Sequence, residues 1–510
     1  MSKHTDGSPA QAQLTAQNQQ AAQASKPPAK HRTFLGQPWG LANLFGVEMW
    51  ERFSFYGMQS ILTLYLYYAV TDGGLGFSPG QAASIVGAYG GFVFLSSIFA
   101  SLLSDRILGP ERTLYYSAIL VMFGHIALAL LPGVAGLAVG LISVSLGSGG
   151  VKTCAQVVLG GLYTHDDPRR DSGFSIFYLG VNIGAFFGPL LTGWAWGMGS
   201  FHYGFGLAAI GMAAGLIQYT LMRKDTIGAA GSEVPNPLTP AEGKRWTIIA
   251  VATVAVLAVT LLTGIIGADN LSTVMALVAL ISAVVFLWQM YTSKQTTDIE
   301  RSRLLGYLPL HIGAVMFFAI FQSQFIVIAI YSDKRLDRSI GNWELGPSQI
   351  QAINPLFIIL LSGVFATLWT KLGNRQWSTA TKFGVANILT GLSLFLFVPY
   401  AHSGENGTPL LIMVAVLLIF TLSELLLSPI GNSMATKVAP SAFRSRMFAV
   451  WLMSISLGTS LSGTLGDFYD YSDGSAEITF FSVLGITAIV IGLALILLRG
   501  WILKKFVDVR

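Results

Sequence analysis

Three charges interrupt an apolar stretch near the start of the chain, in EMWERFSFYGMQ at residues 48–59. Glu48, Glu51 and Arg52 stand at i, i+3 and i+4 on one face of a helix, where the arginine can pair with either carboxylate. At about 100° per residue Tyr56 and Gln59 return to that face, Gln59 within roughly 20° of Glu48. The preceding LANLFGV leaves the charges about two turns inside the apolar run, too deep to snorkel easily to water. Carboxylates and an arginine in such a setting can hold an ionic ligand, or take up a proton when the arginine leaves.

Two further charges stand alone in apolar segments, Lys152 in VGLISVSLGSGGVKTCAQVVLGGL and Glu424 in LLIFTLSELLLSPIGNS. A charge at a membrane-helix centre costs about 2.5 to 3.5 kcal/mol on insertion scales, so each either pairs within the fold or faces a ligand. Asn182 lies among Gly180, Gly184 and Gly188 in FYLGVNIGAFFGP. The glycine spacing suits close helix packing, and the asparagine serves either a ligand or a neighbouring helix. GSGGVKT resembles a nucleotide loop only superficially, because Val151 stands where a P-loop needs glycine before the lysine. Asp105, Arg106 and Arg112 in SDRILGPER form either a solvated turn or a latch between helices. His165, Asp166 and Asp167 in THDDPRRD are loop residues and weak metal evidence.

The elements that must position these residues are membrane helices. The 510 residues are 53% hydrophobic and only 11% charged, with a mean hydropathy of +0.61, against roughly 25% charged in soluble domains. Apolar runs of about 20 residues recur along the chain, the length a helix needs to cross a bilayer, whereas a barrel would show short alternating strands. We expect an all-α integral membrane protein with about fourteen spans. Residues 1–37 read as a disordered tail, 38–222 as a six-helix bundle, 223–307 as a linker with two extra spans, 308–505 as a second six-helix bundle and 506–510 as a tail. The extra pair carries no embedded charge and is expected to be peripheral.

Basic residues fall in alternate connections, among them Arg169 and Arg170, Arg223 and Lys224, Lys371 and Arg375, and Lys504 and Lys505. That pattern places both termini in the cytoplasm and makes the net charge of +5 a positive-inside bias, not a nucleic-acid footprint. YSDKRLDRSIGNWE is an exception, an outward connection carrying Lys334, Arg335 and Arg338. The single cysteine, Cys154, cannot form a disulfide within the chain. No HExxH, no histidine pair with ligand spacing and no selectivity-filter repeat points to an enzyme or a channel. Two bundles with a site at their interface suggest a transporter.

These residues together resemble the proton-dependent oligopeptide transporter family of the major facilitator superfamily, over nearly all of residues 38–505. The motif ExxERFxYY is matched by Glu48, Glu51, Arg52, Phe53 and Tyr56; further matches are DRxLG, FYxxxNxG around Asn182, INPLFIIL with Asn354, SExxLSPIG around Glu424, and Trp451. The resemblance implies a major facilitator fold and a monomeric, multi-pass carrier in the inner cell membrane. It implies uptake of di- and tripeptides, and of peptide-like drugs, with protons as the coupling ion and no other cofactor. Arg52 and Lys152 would bind the peptide carboxylate and Glu424 the amino group; Asn182 and Asn354 would bind the amide, and Tyr56, Phe318 and Trp451 would line side-chain pockets. A same-fold carrier for another zwitterion or anion, such as nitrate, is the alternative.

The departures from the family pattern are informative. Phe55, Phe94 and Phe318 stand where the family has tyrosine, tyrosine and tryptophan. Gln59 and Gln322 align with an arginine and a glutamate that form an external salt bridge in many bacterial members. A neutral Gln59 to Gln322 gate is therefore expected, with proton coupling resting on Glu48, Glu51 and Arg52.

Overall fold

A computed structural model describes residues 32–164, 167–228 and 230–507. Most of the expected amino-terminal tail, with His165, Asp166 and residues 508–510, lies outside the described residues. Thr33–Phe34 and Gln37–Pro38 pair as two short strands, β1 and β2, and Gln37 donates to Ser172 at 2.6 Å.

The first bundle comprises α1 (Trp39–Tyr67), α2 (Pro79–Leu103, prolonged by a π turn over Ser104–Leu108), α3 (Pro110–Leu130), α4 (Gly133–Gly160), α5 (Arg170–Trp196) and α6 (Phe201–Thr226). Two extra helices follow, α7 (Pro240–Leu262) and α8 (Leu271–Thr292). The second bundle starts with α9 (Asp298–Phe321), which runs through a 3-10 turn into α10 (Val327–Lys334) as one span, and continues with α11 (Ile353–Leu372), α12 (Thr379–Leu394), α13 (Leu410–Lys437), α14 (Arg444–Gly466) and α15 (Gly474–Phe506). Among the described residues thirteen spans are long and apolar enough to cross a membrane. α1, at 29 residues, matches them in length and carries the charged stripe. The expected all-α membrane architecture is therefore the observed one.

Local sequence sets the helix limits. Ser78 with Gln81, Thr239 with Glu242 and Thr297 with Glu300 form capping boxes that satisfy the first amides of α2, α7 and α9. Gly109, at φ +81°, turns the chain from the π turn into α3, a conformation that side chains with a Cβ resist. Pro189, Pro309 and Pro429 sit inside α5, α9 and α13, where each removes a backbone bond. Two of the expected packing glycines bring α5 against α1: a Cβ on Gly184 would lie 2.9 Å from the Phe53 nitrogen, and one on Gly188 the same distance from the Gly57 nitrogen.

The extra helices differ from one another. α7 has no buried residue in its apolar stretch and lies on the outside, as expected of a peripheral helix. α8 instead seats Ala276, Ala279 and Ala283 against Leu95 of α2 and Met453 and Leu457 of α14, so it touches both bundles. Its Ser272 nitrogen donates to Ser84, and its Ser272 hydroxyl meets Thr464 at 3.0 Å.

The charged connection after α10 is largely neutralised. Lys334 pairs with Asp333 at 3.2 Å and Arg338 with Glu344 at 2.8 Å. Arg335 is buried, donates to the carbonyls of Tyr400, Ala401 and Gly404, and lies 3.4 Å from buried Glu477. Three basic residues there add little free positive charge.

Candidate functional site

Between the bundles lies a cavity of about 410 Å³, lined by α1, α2, α4 and α5 on one side and by α9, α11, α13 and α14 on the other. It brings together Glu48, Arg52, Tyr56, Gln59, Lys152, Asn182, Phe318, Gln322, Asn354, Glu424 and Trp451. Glu51 is wholly buried behind this lining.

The helical spacing of the α1 charges produces a shared arginine. Arg52 Nε donates to Glu48 Oε1 at 2.9 Å, and Glu51 Oε2 lies 3.1 Å from the same nitrogen. Ser148 Oγ on α4 donates to Glu51 Oε1 at 2.5 Å. Among the described residues Glu48 Oε2, Glu51 Oε2 and Arg52 Nη2 have no hydrogen-bond partner. Lys152, one turn beyond Ser148, makes no ion pair among the described residues; its ammonium sits 4.2 Å from the centre of the Phe94 ring. A phenyl face offers a cation a modest attraction without neutralising it.

The second bundle supplies the opposite charge. Glu424 faces the cavity from α13 with Oε2 unpartnered. Nearby polar groups are fixed: Asn354 donates to Thr421 at 2.9 Å, and the Trp451 indole donates to Asn432 at 2.6 Å while meeting Phe318 nearly edge-on. Asn182 donates to the Tyr178 carbonyl in its own helix at 2.9 Å, and Tyr56 stacks on Phe325. Among the described residues no cluster of three His, Cys, Asp or Glu is placed to hold a metal ion.

The cavity is closed at one end and open at the other. At the closed end Thr63 donates to the Phe325 carbonyl at 2.5 Å, and the hydroxyls of Tyr67 and Tyr68 both donate to Asp333, Tyr68 at 2.7 Å. Ser456 donates to the Gly91 carbonyl at 2.8 Å, and a Cβ on Gly87 would come within 2.5 Å of Gly463 Cα. Each of these contacts joins the first bundle to the second. At the end bearing the basic connections, Gln156, Tyr178 and Asn432 line the cavity and are exposed. Gln59 and Gln322 lie toward the closed side of the lining, where the Gln322 amide donates to Thr459 at 3.2 Å and no hydrogen bond joins the two glutamines.

Asp105 and Arg106 grip the linker. Their carbonyls accept from Asn236 and Leu238, and the Arg106 guanidinium pairs with Glu242 of α7 at 2.9 Å. Arg112 is exposed, and Glu111 beside it pairs with Arg223 at 2.8 Å. Sequence reasoning missed Glu242, Ser148, Asn432 and Asp333. Ser148 stands one turn from Lys152 in the sequence, but nothing local marked its partner.

The model of the POT family matches residues 111–483. The chain is 40% identical to an uncharacterized transporter of Bacillus subtilis (strain 168), over 91% of this chain and 94% of that one. It is 38% identical to a di-/tripeptide transporter of Lactococcus lactis subsp. cremoris, over 94% of this chain and 98% of the relative. Its fold superposes on a crystal structure of a peptide transporter POT mutant in complex with alafosfalin with a TM-score of 0.88, at 39% identity, covering 96% of this chain and 99% of the other.

Proposed function

Since the chain belongs to the POT family of transporters, we propose that it imports di- and tripeptides by alternating access, driven by protons. The observation that carries this reading is the set of unpartnered groups of opposite charge on the two walls of the cavity. Arg52 Nη2 and Lys152 stand on the first bundle, and Glu424 Oε2 stands on the second. A zwitterion laid between them regains electrostatic partners for the water it loses, its carboxylate taking charge-assisted bonds from the arginine and its ammonium meeting Glu424. A simple anion such as nitrate would leave Glu424 unanswered.

Recognition of the termini leaves side chains to the aromatic walls, where Tyr56, Phe318 and Trp451 accept varied shapes, and Asn182 and Asn354 are near enough to turn toward an amide. Peptide-like drugs fit the same logic, in keeping with the alafosfalin-bound relative. Protons are the coupling ion. Glu48 and Glu51 compete for one arginine, and substrate carboxylate drawing Arg52 away leaves a buried carboxylate that is costly to keep charged. The positive-inside pattern supports an inner-membrane carrier with both termini and the open, basic end toward the cytoplasm, the cavity then facing inward. One chain supplies both walls, so it works as a monomer. Gln59 and Gln322 act as neutral gate residues, and the Arg106 contact to Glu242 acts as a cytoplasmic latch on the linker.

The test is dipeptide uptake into proteoliposomes under an imposed inward proton gradient. Glu48→Gln and Glu51→Gln are each expected to lose gradient-driven accumulation; full accumulation by both variants would refute the coupling assignment. Unlabelled di- and tripeptides are expected to compete, and nitrate is not.

A further inference from the structure

The segment GSGGVKT, which is no nucleotide loop, has a definite place in the fold. Its glycines bring α4 against its neighbours: a Cβ on Gly149 would lie 2.7 Å from the Ser97 nitrogen of α2, and one on Gly147 would lie 2.6 Å from the Ser117 carbonyl of α3. That close packing fixes where the one polar side chain between them points. Ser148 is fully buried and its hydroxyl ends on Glu51 Oε1 at 2.5 Å, 97 residues away in sequence.

We infer that Ser148 is a positioning residue for proton coupling: by donating to Oε1 of Glu51 from α4, it holds that carboxylate in its charged form with Oε2 turned toward Arg52. The inference rests on the reading of Glu51 as a proton-binding group. A carboxylate oxygen that accepts from a hydroxyl is stabilised in its charged form, and Oε2 lies 3.1 Å from Arg52 Nε in the ion pair. A proton on Glu51 neutralises the carboxylate, cancels the attraction that shares Arg52 between two carboxylates and leaves it with Glu48 alone. Protonation then changes the arginine that binds substrate.

The other groups facing Glu51 do not supply this bond. On α1 these are Glu48, Arg52 and, a turn further, Tyr56; on α4 Lys152 acts at longer range, its ammonium held on Phe94; on α2 the Tyr89 hydroxyl is buried without a partner. Among the described residues Ser148 alone makes a hydrogen bond to Glu51 from another helix.

The experiment compares the pH dependence of gradient-driven dipeptide uptake for wild type, Ser148→Ala, Ser148→Thr and Glu51→Gln in proteoliposomes. Without the hydroxyl the Glu51 carboxylate holds its proton to higher pH, so Ser148→Ala is expected to shift the half-maximal pH upward by about one unit. Ser148→Thr, which keeps the hydroxyl, is expected to restore the wild-type profile. If Ser148→Ala does not fold, Ser148→Cys, a weaker donor, is expected to give a smaller shift in the same direction. A Ser148→Ala or Ser148→Cys profile that superimposes on wild type, or a Ser148→Thr profile displaced like Ser148→Ala, overturns the inference while Glu51→Gln still abolishes coupling. If Glu51→Gln keeps full gradient drive, the reading of Glu51 itself fails and the inference with it.

Discussion

Arg52 is shared between two carboxylates and still has one nitrogen to offer, which makes it the most heavily committed side chain in the cavity. Lysine at that position would keep the charge and lose the fork that can hold α1 and a ligand together. Arg52→Lys is expected to lower kcat/KM for a dipeptide by about 10- to 100-fold, the value of one charge-assisted hydrogen bond. Glu424→Gln is expected to cost a similar factor for a dipeptide with a free amino group and almost nothing for its N-acetylated form. Equal losses for both substrates would remove Glu424 from amino-group recognition. These charged residues were legible in the sequence because inserting a charge in a membrane is expensive, so the few present stand out. Ser148 and Asn432 were not, since neutral polar side chains are common in membrane helices and only the tertiary contact shows what each one holds.

At the scale of elements, the end of α1 meets α10 across the seam between the bundles. Tyr67 and Tyr68 deliver two hydroxyls to one carboxylate, Asp333, with the Lys334 ammonium beside it and 5.5 and 5.6 Å from their ring centres. In a chain with glutamines at positions 59 and 322, this cluster supplies a charged closure at the far end. Asp333→Asn weakens two charge-assisted bonds, so distances between spin labels on α1 and α10 are expected to lengthen toward an outward-open population. An unchanged distance distribution would show that glycine packing alone holds the seam. The same connection explains an irregularity of the charge pattern. Arg335 works inside the second bundle, and Arg335→Met, which leaves Glu477 buried without its partner, is expected to destabilise the fold by about 3 to 5 kcal/mol in thermal or denaturant unfolding. Span positions could be read from apolar runs alone. The partner of a loop arginine could not, because Glu477 lies far away in sequence and nothing local marks it.

Across the whole molecule, alternating access requires the bundles to part where they are now joined and to meet where they are now open. Between α2 and α14 the seam at the closed end is built from small residues, Gly87 against Gly463 and Gly91 against Ser456, which permit close contact in this state. Gly87→Leu is expected to pry this seam apart and to trap an outward-open carrier, seen as protection of labelling sites near Gln156 and Asn432 from a cytoplasmic thiol reagent. α8 spans α2 and α14, so it must slide or rotate when they move; no apolar pattern in its sequence distinguished it from the exposed α7, because both are uniformly apolar and only the alanine face of α8 finds a partner. The central claim is that a zwitterionic peptide and a proton share the charges of one cavity. The most direct measurement is dipeptide uptake into proteoliposomes with an inward proton gradient, with and without a protonophore. Accumulation above the external concentration that collapses on adding the protonophore is the predicted result, and uptake that never exceeds equilibration with or without it would contradict the account.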